Sequence, residues 1–280
     1  MQFGDFRIEI VPDTEFRLDG GAMFGIVPRV LWERVAPPDE ANRIRVQTNC
    51  LFVETAAGER ILIETGMGEK WTEKQAKIYG VNRQKPFAQT LFERTGCTPE
   101  GISIVVNTHL HFDHCGGNTK LDQAGNLIPA FPNARYFVSQ FEFIHAENPS
   151  DRDRASYLPE NWQPLMESGQ LELKDDLYEV VPNLRMETVR GHNEAMQCVR
   201  LNNAGETFYS FADLIPTRAH IPPAWIMGYD LFPLDTLANK KLLLPQAVKE
   251  NWLCYFYHDP DAPLCRLTEE NGKLKAIKVE

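Results

Sequence analysis

Apolar and polar residues alternate along several short segments, a pattern typical of strands with one buried face. The longest are residues 6–11 and 43–54, and Ala57-Gly58 marks a turn that leads the second of them into residues 60–64. We therefore predict a β-hairpin from residue 43 to residue 64. Further predicted strands lie at residues 102–106, 134–138, 207–212 and 252–257.

One helix can be placed from its first residue. Ser139 follows the predicted strand at residues 134–138 and is a favourable N-cap for a helix that carries Phe141 and His145. We interpret His145 as a histidine of the helix surface or the edge of the core. No Ser/Gly-rich run, charge block or internal repeat interrupts the chain, so we predict a single domain over residues 1–280.

A dense group of histidines directly follows the apolar run at residues 102–106. His109, His111, Asp113 and His114 fall within six consecutive positions. Imidazole is the commonest protein ligand for divalent first-row metals, and a loop leaving a buried strand can direct several side chains to one point. The segment predicts a metal site at the end of a strand.

Three later residues repeat the order of strand, ligand and loop. His192 lies in a turn after a strand. Asp213 follows the predicted strand at residues 207–212, and His258 follows the one at residues 252–257. Their types and positions make them candidates for the same metal site.

On these residues, the chain resembles the metallo-β-lactamase superfamily, whose mark is His-x-His-x-Asp-His followed along the chain by a His, an Asp and a His. The resemblance covers about residues 40–260. It implies an α/β fold of the αββα sandwich type with a dinuclear metal centre at one edge. The implied ligands are His109, His111 and His192 for the first metal, Asp113, His114 and His258 for the second, and Asp213 as a bridge.

The chemistry of this donor set favours an open, catalytic site. Two carboxylates and a bridging hydroxide partly neutralise the charge that neutral imidazoles leave on two divalent ions. Structural zinc sites are usually closed by Cys-x-x-Cys pairs, a spacing that the six cysteines never have. We interpret Cys115, which adjoins the histidines, as a partly buried thiol. Zinc is the default metal, with manganese, iron and cobalt as alternatives.

The chain departs from the superfamily pattern at two turns. The usual first motif is Asp-Thr-Gly, whereas here the strand at residues 60–64 ends in Glu64-Thr65-Gly66. That acid commonly supports the ligands without binding metal, and we expect the same of Glu64. After His192, Asn193-Glu194 replaces the more frequent Thr-Pro, so this turn must be closed by other means.

The predicted reaction is hydrolysis, with Asp113 and Asp213 as the catalytic carboxylates. Two bound metals would lower the pKa of a bridging water to near neutral, so that the hydroxide could act as the nucleophile on an electrophilic carbonyl or phosphoryl centre. Asp113 can also pass a proton to the leaving group while it remains a ligand.

Finer resemblance favours a small ester-like substrate, and a lactone first. Residues 21–25 and 27–32, the His192 turn and the loop from Asp213 to His220 look like those of quorum-quenching lactonases and methyl parathion hydrolase. Acyl-homoserine-lactone hydrolases carry a tyrosine three residues after the bridging Asp, where this chain has Pro216. A glyoxalase II-like thioesterase, an organophosphate triesterase and a metal-containing protein that binds a small signal without hydrolysing it remain alternatives.

Aromatic and methionine residues in glycine- and proline-rich segments are candidates for the substrate pocket, because such pockets are mostly apolar. Residues 20–25 predict a tight turn that presents Met23 and Phe24. The other candidates are His220, Trp225 and Met227, with Tyr157 and Trp162 from an inserted stretch. For the aromatic segments, core packing or a dimer contact is an equally good alternative. For His220, the alternative is a hydrogen bond within its own loop.

Charge and composition restrict the partners. The formal net charge of −10 argues against a nuclease, which needs a basic face to bind phosphates. No segment reaches the ~18 apolar residues of a membrane span, and the first residues lack the pattern of a signal peptide. We therefore expect a cytoplasmic enzyme that acts on a small molecule without binding nucleic acid or membrane, and a homodimer remains open.

Overall fold

The computed structural model describes residues 1–279 as a mixed arrangement of strands and helices. The strands are β1 Gln2–Phe3, β2 Phe6–Asp19, β3 Arg43–Thr55, β4 Arg60–Ile63, β5 Ile104–Val106, β6 Thr119–Leu121, β7 Leu127–Pro129, β8 Arg135–Ser139, β9 Leu171–Lys174, β10 Leu177–Val181, β11 Leu184–Thr188, β12 Gln197–Asn203, β13 Glu206–Ser210, β14 Leu253–Tyr255, β15 Leu264–Glu270 and β16 Lys273–Lys278. The helices are α1 Gly20–Phe24, α2 Arg29–Trp32, α3 Glu73–Ile78, α4 Phe87–Thr95, α5 Phe112–Cys115, α6 Gln140–Glu147, α7 Gln163–Glu167 and α8 Pro233–Lys249.

Within the described residues, the strands form two seven-stranded sheets and one two-stranded sheet. The first sheet has the order β1-β2-β3-β4-β5-β8-β9 and the second β10-β11-β12-β13-β14-β15-β16. The predicted hairpin is present, because β3 and β4 pair antiparallel around a turn in which Gly58 has a φ of 85°. The chain also divides into two compact units, Met1–Thr14 with Thr48–Asp175, and Glu15–Gln47 with Asp176–Glu280.

In the first unit, parallel strands bring three loops to one edge. β4, β5 and β8 are parallel neighbours, so their carboxyl ends point the same way. The buried residues of these strands pack in a core that includes Leu62, Val105 and Tyr136. The loops that follow the three strands therefore start from a fixed edge, and one of them carries the histidine cluster.

Strands of the second unit also end together at one edge of their sheet. β13 and β14 are parallel, and both β11 and β13 are antiparallel to β12. Strands β11, β13 and β14 therefore run in the same direction and end at one edge of the sheet. His192, Asp213 and His258 each follow one of these strands within four residues. Helix α8 packs on this unit's core through Leu244 and Ala247.

The Ser139 hydroxyl accepts hydrogen bonds from the amides of Phe141 and Glu142 at the start of α6, as predicted. The tight turn predicted at residues 20–25 is wrong, because the segment forms the short helix α1, whose N-cap Asp19 accepts from the Ala22 amide. The single domain stays a prediction. Along residues 1–279, no helix combines the length and the apolar character needed to cross a bilayer.

Candidate metal centre

The loop after β5 folds back on itself and gathers its imidazoles. His111 precedes the single turn of α5, and its carbonyl accepts hydrogen bonds from the amides of His114 and Cys115 at 3.0 Å. The ring of His109 lies 4.5 Å from that of His111 and 4.0 Å from that of His114, measured between centroids. Asp113 is buried on the same turn. The four residues predicted in this segment are therefore brought together.

Glu64 fixes the orientation of one of these imidazoles. It lies directly after β4 with a φ of 64°, and its Oε1 accepts from His114 Nδ1 at 3.1 Å. The Thr108 amide and hydroxyl donate to the same oxygen. Because Nδ1 carries the proton in this arrangement, Nε2 is the nitrogen of His114 that can bind a metal. The geometry fits the supporting role that we expected of Glu64.

A second buried carboxylate supports the other side of the loop. Glu142, in the first turn of α6, accepts from the Leu110 amide at 2.8 Å and from the Tyr157 hydroxyl at 3.1 Å. The Tyr157 ring lies 4.7 Å from that of His111. Tyr157 thus packs beneath the histidine loop, and Trp162 is fully buried and donates to Glu147 at 2.7 Å.

Two further residues of the first unit clarify the surroundings of the loop. Cys115 is fully buried, its thiol contacts the Leu110 carbonyl at 3.3 Å, and burial raises its pKa well above the usual range. It is therefore a packing residue rather than a reactive thiolate. Lys70, which sequence analysis missed, donates to the Thr119 carbonyl at 2.9 Å and to that of Gly116 at 2.5 Å, and burial lowers its pKa to about 8.

In the second unit, one carboxylate lies between two imidazoles. Asp213 Oδ2 is 3.5 Å from His192 Nε2, and Asp213 Oδ1 is 3.2 Å from His258 Nε2. All three side chains are buried. This is the arrangement expected of a carboxylate that serves two neighbouring ligand positions with one oxygen each.

Both of these histidines are held through their other ring nitrogen. His192 Nδ1 donates to Asp230 Oδ1 at 3.1 Å, and His258 Nδ1 donates to the Gln47 carbonyl at 3.0 Å. Asp230 in turn accepts from the Thr236 hydroxyl of α8 at 2.7 Å. Sequence analysis missed Asp230, because nothing in its local sequence marks it as a partner of a histidine 38 residues earlier.

The unusual turn after His192 is closed by its own asparagine. Asn193 Oδ1 accepts from the amides of Ala195 at 3.0 Å and Met196 at 2.6 Å. This side chain replaces the proline-containing turn that is more frequent in the superfamily.

The predicted pocket residues of the second unit form a packed aromatic cluster. Phe24 stacks between the Trp32 ring at 5.2 Å and the His220 ring at 4.6 Å. His220 Nε2 donates to the Met23 carbonyl at 2.8 Å, and its Nδ1 contacts the Thr217 hydroxyl at 2.8 Å. Met23 and Phe24 are at most 1% exposed, so α1 buries them instead of presenting them. Their substrate role, with that of His220, stays a prediction that this packing does not support.

Trp225 and Met227 differ from each other in exposure. Trp225 is partly exposed and lines a cleft of about 450 Å³, whereas Met227 is buried. Other lining residues of this cleft include Val35, Pro37, Ile44, Arg218, Ile221 and Pro222. Of the predicted pocket residues in this unit, Trp225 is the one that lines this cleft.

The residues fit divalent metals by the chemistry of their donors. In the first unit, donor atoms of His109 and His111 lie within 4.8 Å of each other, and so do those of Asp113 and His114. Buried imidazole and carboxylate groups at this spacing suit zinc, manganese, iron or cobalt. In the second unit, Asp213 supplies a carboxylate, and His192 and His258 supply imidazoles.

Comparisons with known proteins agree with this chemistry. The sequence profile of the Metallo-beta-lactamase superfamily matches residues 43–258. The chain belongs to the metallo-β-lactamase superfamily. An N-acyl homoserine lactonase from Bacillus cereus is 24% identical over 238 residues, which cover 78% of this chain and 83% of that protein.

Solved structures match this superfamily member over its whole length. A probable metal-dependent hydrolase from Staphylococcus aureus has a TM-score of 0.90 and 30% identity, covering 100% of this chain and 99% of that one. The dizinc quorum-quenching lactonase AidC has a TM-score of 0.81 and 20% identity, covering 100% and 96%. The predictions of the superfamily, its fold class and a hydrolase are thus confirmed, whereas the individual ligand assignments stay predictions.

Proposed function

We propose that this metallo-β-lactamase superfamily member is a lactonase that uses two divalent metal ions. The observation that carries the proposal is the buried Asp213 carboxylate, each oxygen of which faces the Nε2 of a different histidine. The proposed ligands are His109, His111, Asp113, His114, His192, Asp213 and His258, and zinc is the metal that we would test first.

The chain's residues have distinct roles in this proposal. Bound divalent ions would supply Lewis acidity and activate a water as the nucleophile. Glu64 and Asp230 hold their histidines in the tautomer that directs Nε2 to a metal. Asp113 would hold a proton and return it to the ring oxygen that leaves when the lactone opens, so the product is a hydroxy acid.

The choice of a lactone draws on the relatives. N-acyl homoserine lactonases from Bacillus and Agrobacterium match most of the chain at 24–28% identity. The net charge of −10 does not favour an anionic substrate such as a nucleic acid. Pro216 stands where the lactonases carry a tyrosine, so we propose lactones as a class rather than one acyl-homoserine lactone.

The first experiment measures proton release from N-hexanoyl-homoserine lactone by the zinc-loaded protein. Asp213→Asn should reduce kcat/KM at least about 100-fold and leave the circular dichroism spectrum unchanged, because it removes one anionic donor shared by two ligand positions. Asp235→Asn, a substitution of a half-exposed carboxylate in the same unit, serves as the matched control and should leave turnover unchanged.

Near-native turnover by Asp213→Asn would contradict the role of this carboxylate. If the zinc-loaded wild-type protein releases no protons from the lactone, the substrate assignment is wrong. The same assay with a glutathione thioester and a phosphotriester then tests the thioesterase and triesterase alternatives.

A further inference from the structure

Helix α8 carries a lysine that is fully buried. Lys240 Nζ donates to the carbonyls of His220 at 2.6 Å, Trp225 at 2.7 Å and Pro222 at 3.0 Å. Its neighbour along the helix, Lys241, is exposed. Burial of an ammonium group is costly unless its donors are all used, and here three donors meet three carbonyls.

All three carbonyls belong to one segment, residues 216–225, which we call the strap. Its first part is tied to the residues around His258. The His258 amide donates to the Pro216 carbonyl at 2.9 Å, and Arg218 donates to Asp259 Oδ2 through its amide at 3.0 Å and its Nε at 2.9 Å. Lys240 is thus the counterpart that fixes the second part of the strap.

The strap follows a proposed ligand closely along the chain and lines a cleft. It begins three residues after Asp213, and its residues Ile221, Pro222 and Trp225 line the cleft of about 450 Å³. The wall that these three side chains form is apolar, and a small shift of their backbone would change the shape of the cleft. Lys240 itself contacts none of the seven proposed ligands in the hydrogen bonds described.

We propose that Lys240 is a positioning residue that fixes the strap and thereby sets the affinity for substrate. This inference rests on the proposed lactonase function. The ammonium does not touch the reacting atoms. It acts through the backbone of residues 220–225, so its removal should affect KM and leave kcat and metal content largely unchanged.

Asp230 is an anionic group whose charge acts on Lys240. Burial lowers the pKa of Lys240 to about 7, and the charge of Asp230 opposes this shift by favouring the protonated form. The same carboxylate accepts from His192 Nδ1. Thr236, one helical turn before Lys240, donates to Asp230. One face of α8 therefore supports both the strap and the loop that carries His192.

The test compares Lys240→Met with two matched controls. Lys241→Met removes the exposed neighbouring lysine. Leu244→Ala opens a cavity in the core beneath the same helix. This second control separates the effect of a general loss of stability from the effect of losing the strap contacts. For each zinc-loaded variant, we would measure kcat, KM for N-decanoyl-homoserine lactone, metal content and amide hydrogen exchange.

Lys240→Met should raise KM about tenfold with kcat within about twofold of the wild type, because three carbonyls lose a charged donor. The hydrogen-bonded amides of His220, Ile221 and Trp225 should exchange faster. Neither control should reproduce both changes. Unchanged exchange in the strap, an unchanged KM, loss of metal, or the same pair of changes in Leu244→Ala would each overturn the proposal.

The two proposals fail separately. Hydrogen exchange requires no substrate, so it tests whether Lys240 fixes the strap even if the wild-type protein hydrolyses no lactone. A wild-type protein that hydrolyses no lactone would contradict the proposed function. Strap amides that exchange no faster in Lys240→Met than in the wild type would contradict the role of Lys240.

Discussion

At the scale of single residues, buried histidines differ in what their two ring nitrogens contact. In His114, His192 and His258, Nδ1 contacts a protein oxygen at 3.0–3.1 Å, which leaves Nε2 as the nitrogen suited to a metal. In His220, both nitrogens contact oxygens of the same unit. The first pattern is typical of a metal ligand, and the second of a histidine that holds loops together.

The burial of His220 predicts a pH-dependent stability. Burial lowers the pKa of His220 from 6.5 to about 3. Between these two pH values, the imidazole is neutral in the folded chain and protonated in the unfolded chain. The contribution of His220 to the unfolding free energy is therefore fully present above pH 6.5 and is lost as the pH falls towards 3. Relative to His220→Gln, the wild type should lose about 2 kcal/mol of unfolding free energy between pH 8 and pH 5, measured by urea denaturation.

The comparison with His220→Gln cancels groups that titrate equally in both proteins. A difference in unfolding free energy that stays constant from pH 8 to pH 5 would show that His220 is protonated in the folded state.

Asp230 offers a second test at this scale. Asp230→Asn can present an amide N–H to His192 Nδ1 and so favour the wrong tautomer for Nε2 ligation. We expect metal affinity to fall about 10- to 100-fold, measured by competition with a chelator. An affinity equal to that of the wild type would contradict the orienting role of Asp230.

At the scale of elements, the loop after β4 packs closely against the loop that carries the histidines. A Cβ on Gly68 would collide with the carbonyl of Gly116, and Gly68 has a φ of 66°. Gly125 has a similar φ of 84° but open space around it. The two glycines therefore separate backbone strain from the contact between the loops.

Gly125→Ala should cost about 1 kcal/mol of unfolding free energy, the usual penalty for a non-glycine residue in this backbone region. Gly68→Ala should cost clearly more and should also weaken metal binding, because the histidine loop must move. Denaturation and metal titration of both variants measure this, and equal losses of stability with unchanged metal affinity would refute the close-packing argument.

The sequence predicted the candidate ligands best where a ligand directly follows the end of a strand. The apolar run before His109 predicted β5, and the residues after β13 and β14 are the expected Asp213 and His258. Residues 20–25 were misjudged because their three glycines suggested a turn, although Asp19 is a good N-cap and was the available signal for a helix.

Other features could not be read from local sequence. Asp230 and Lys240 acquire their roles from partners 15 to 38 residues away, which only the tertiary structure brings close. Lys240 in particular occupies a core position where an apolar residue is the ordinary expectation. Long-range hydrogen bonds of this kind have no periodic pattern by which to recognise them.

At the scale of the whole molecule, each compact unit carries one group of proposed ligands at the ends of parallel strands. The first unit supplies four ligands from one loop, and the second supplies three from separate loops. The proposed dinuclear centre requires that both groups of ligands contribute to metal binding. It also requires that a histidine outside these groups, such as His145, does not.

The most direct measurement is the metal content per chain after purification, zinc loading and dialysis. We predict about two zinc ions per wild-type chain, fewer in His109→Ala and in His258→Ala, and about two in His145→Ala, whose side chain pairs with Asp153 instead. A wild-type protein that retains no zinc, or both ligand variants retaining the full amount, would contradict the dinuclear centre.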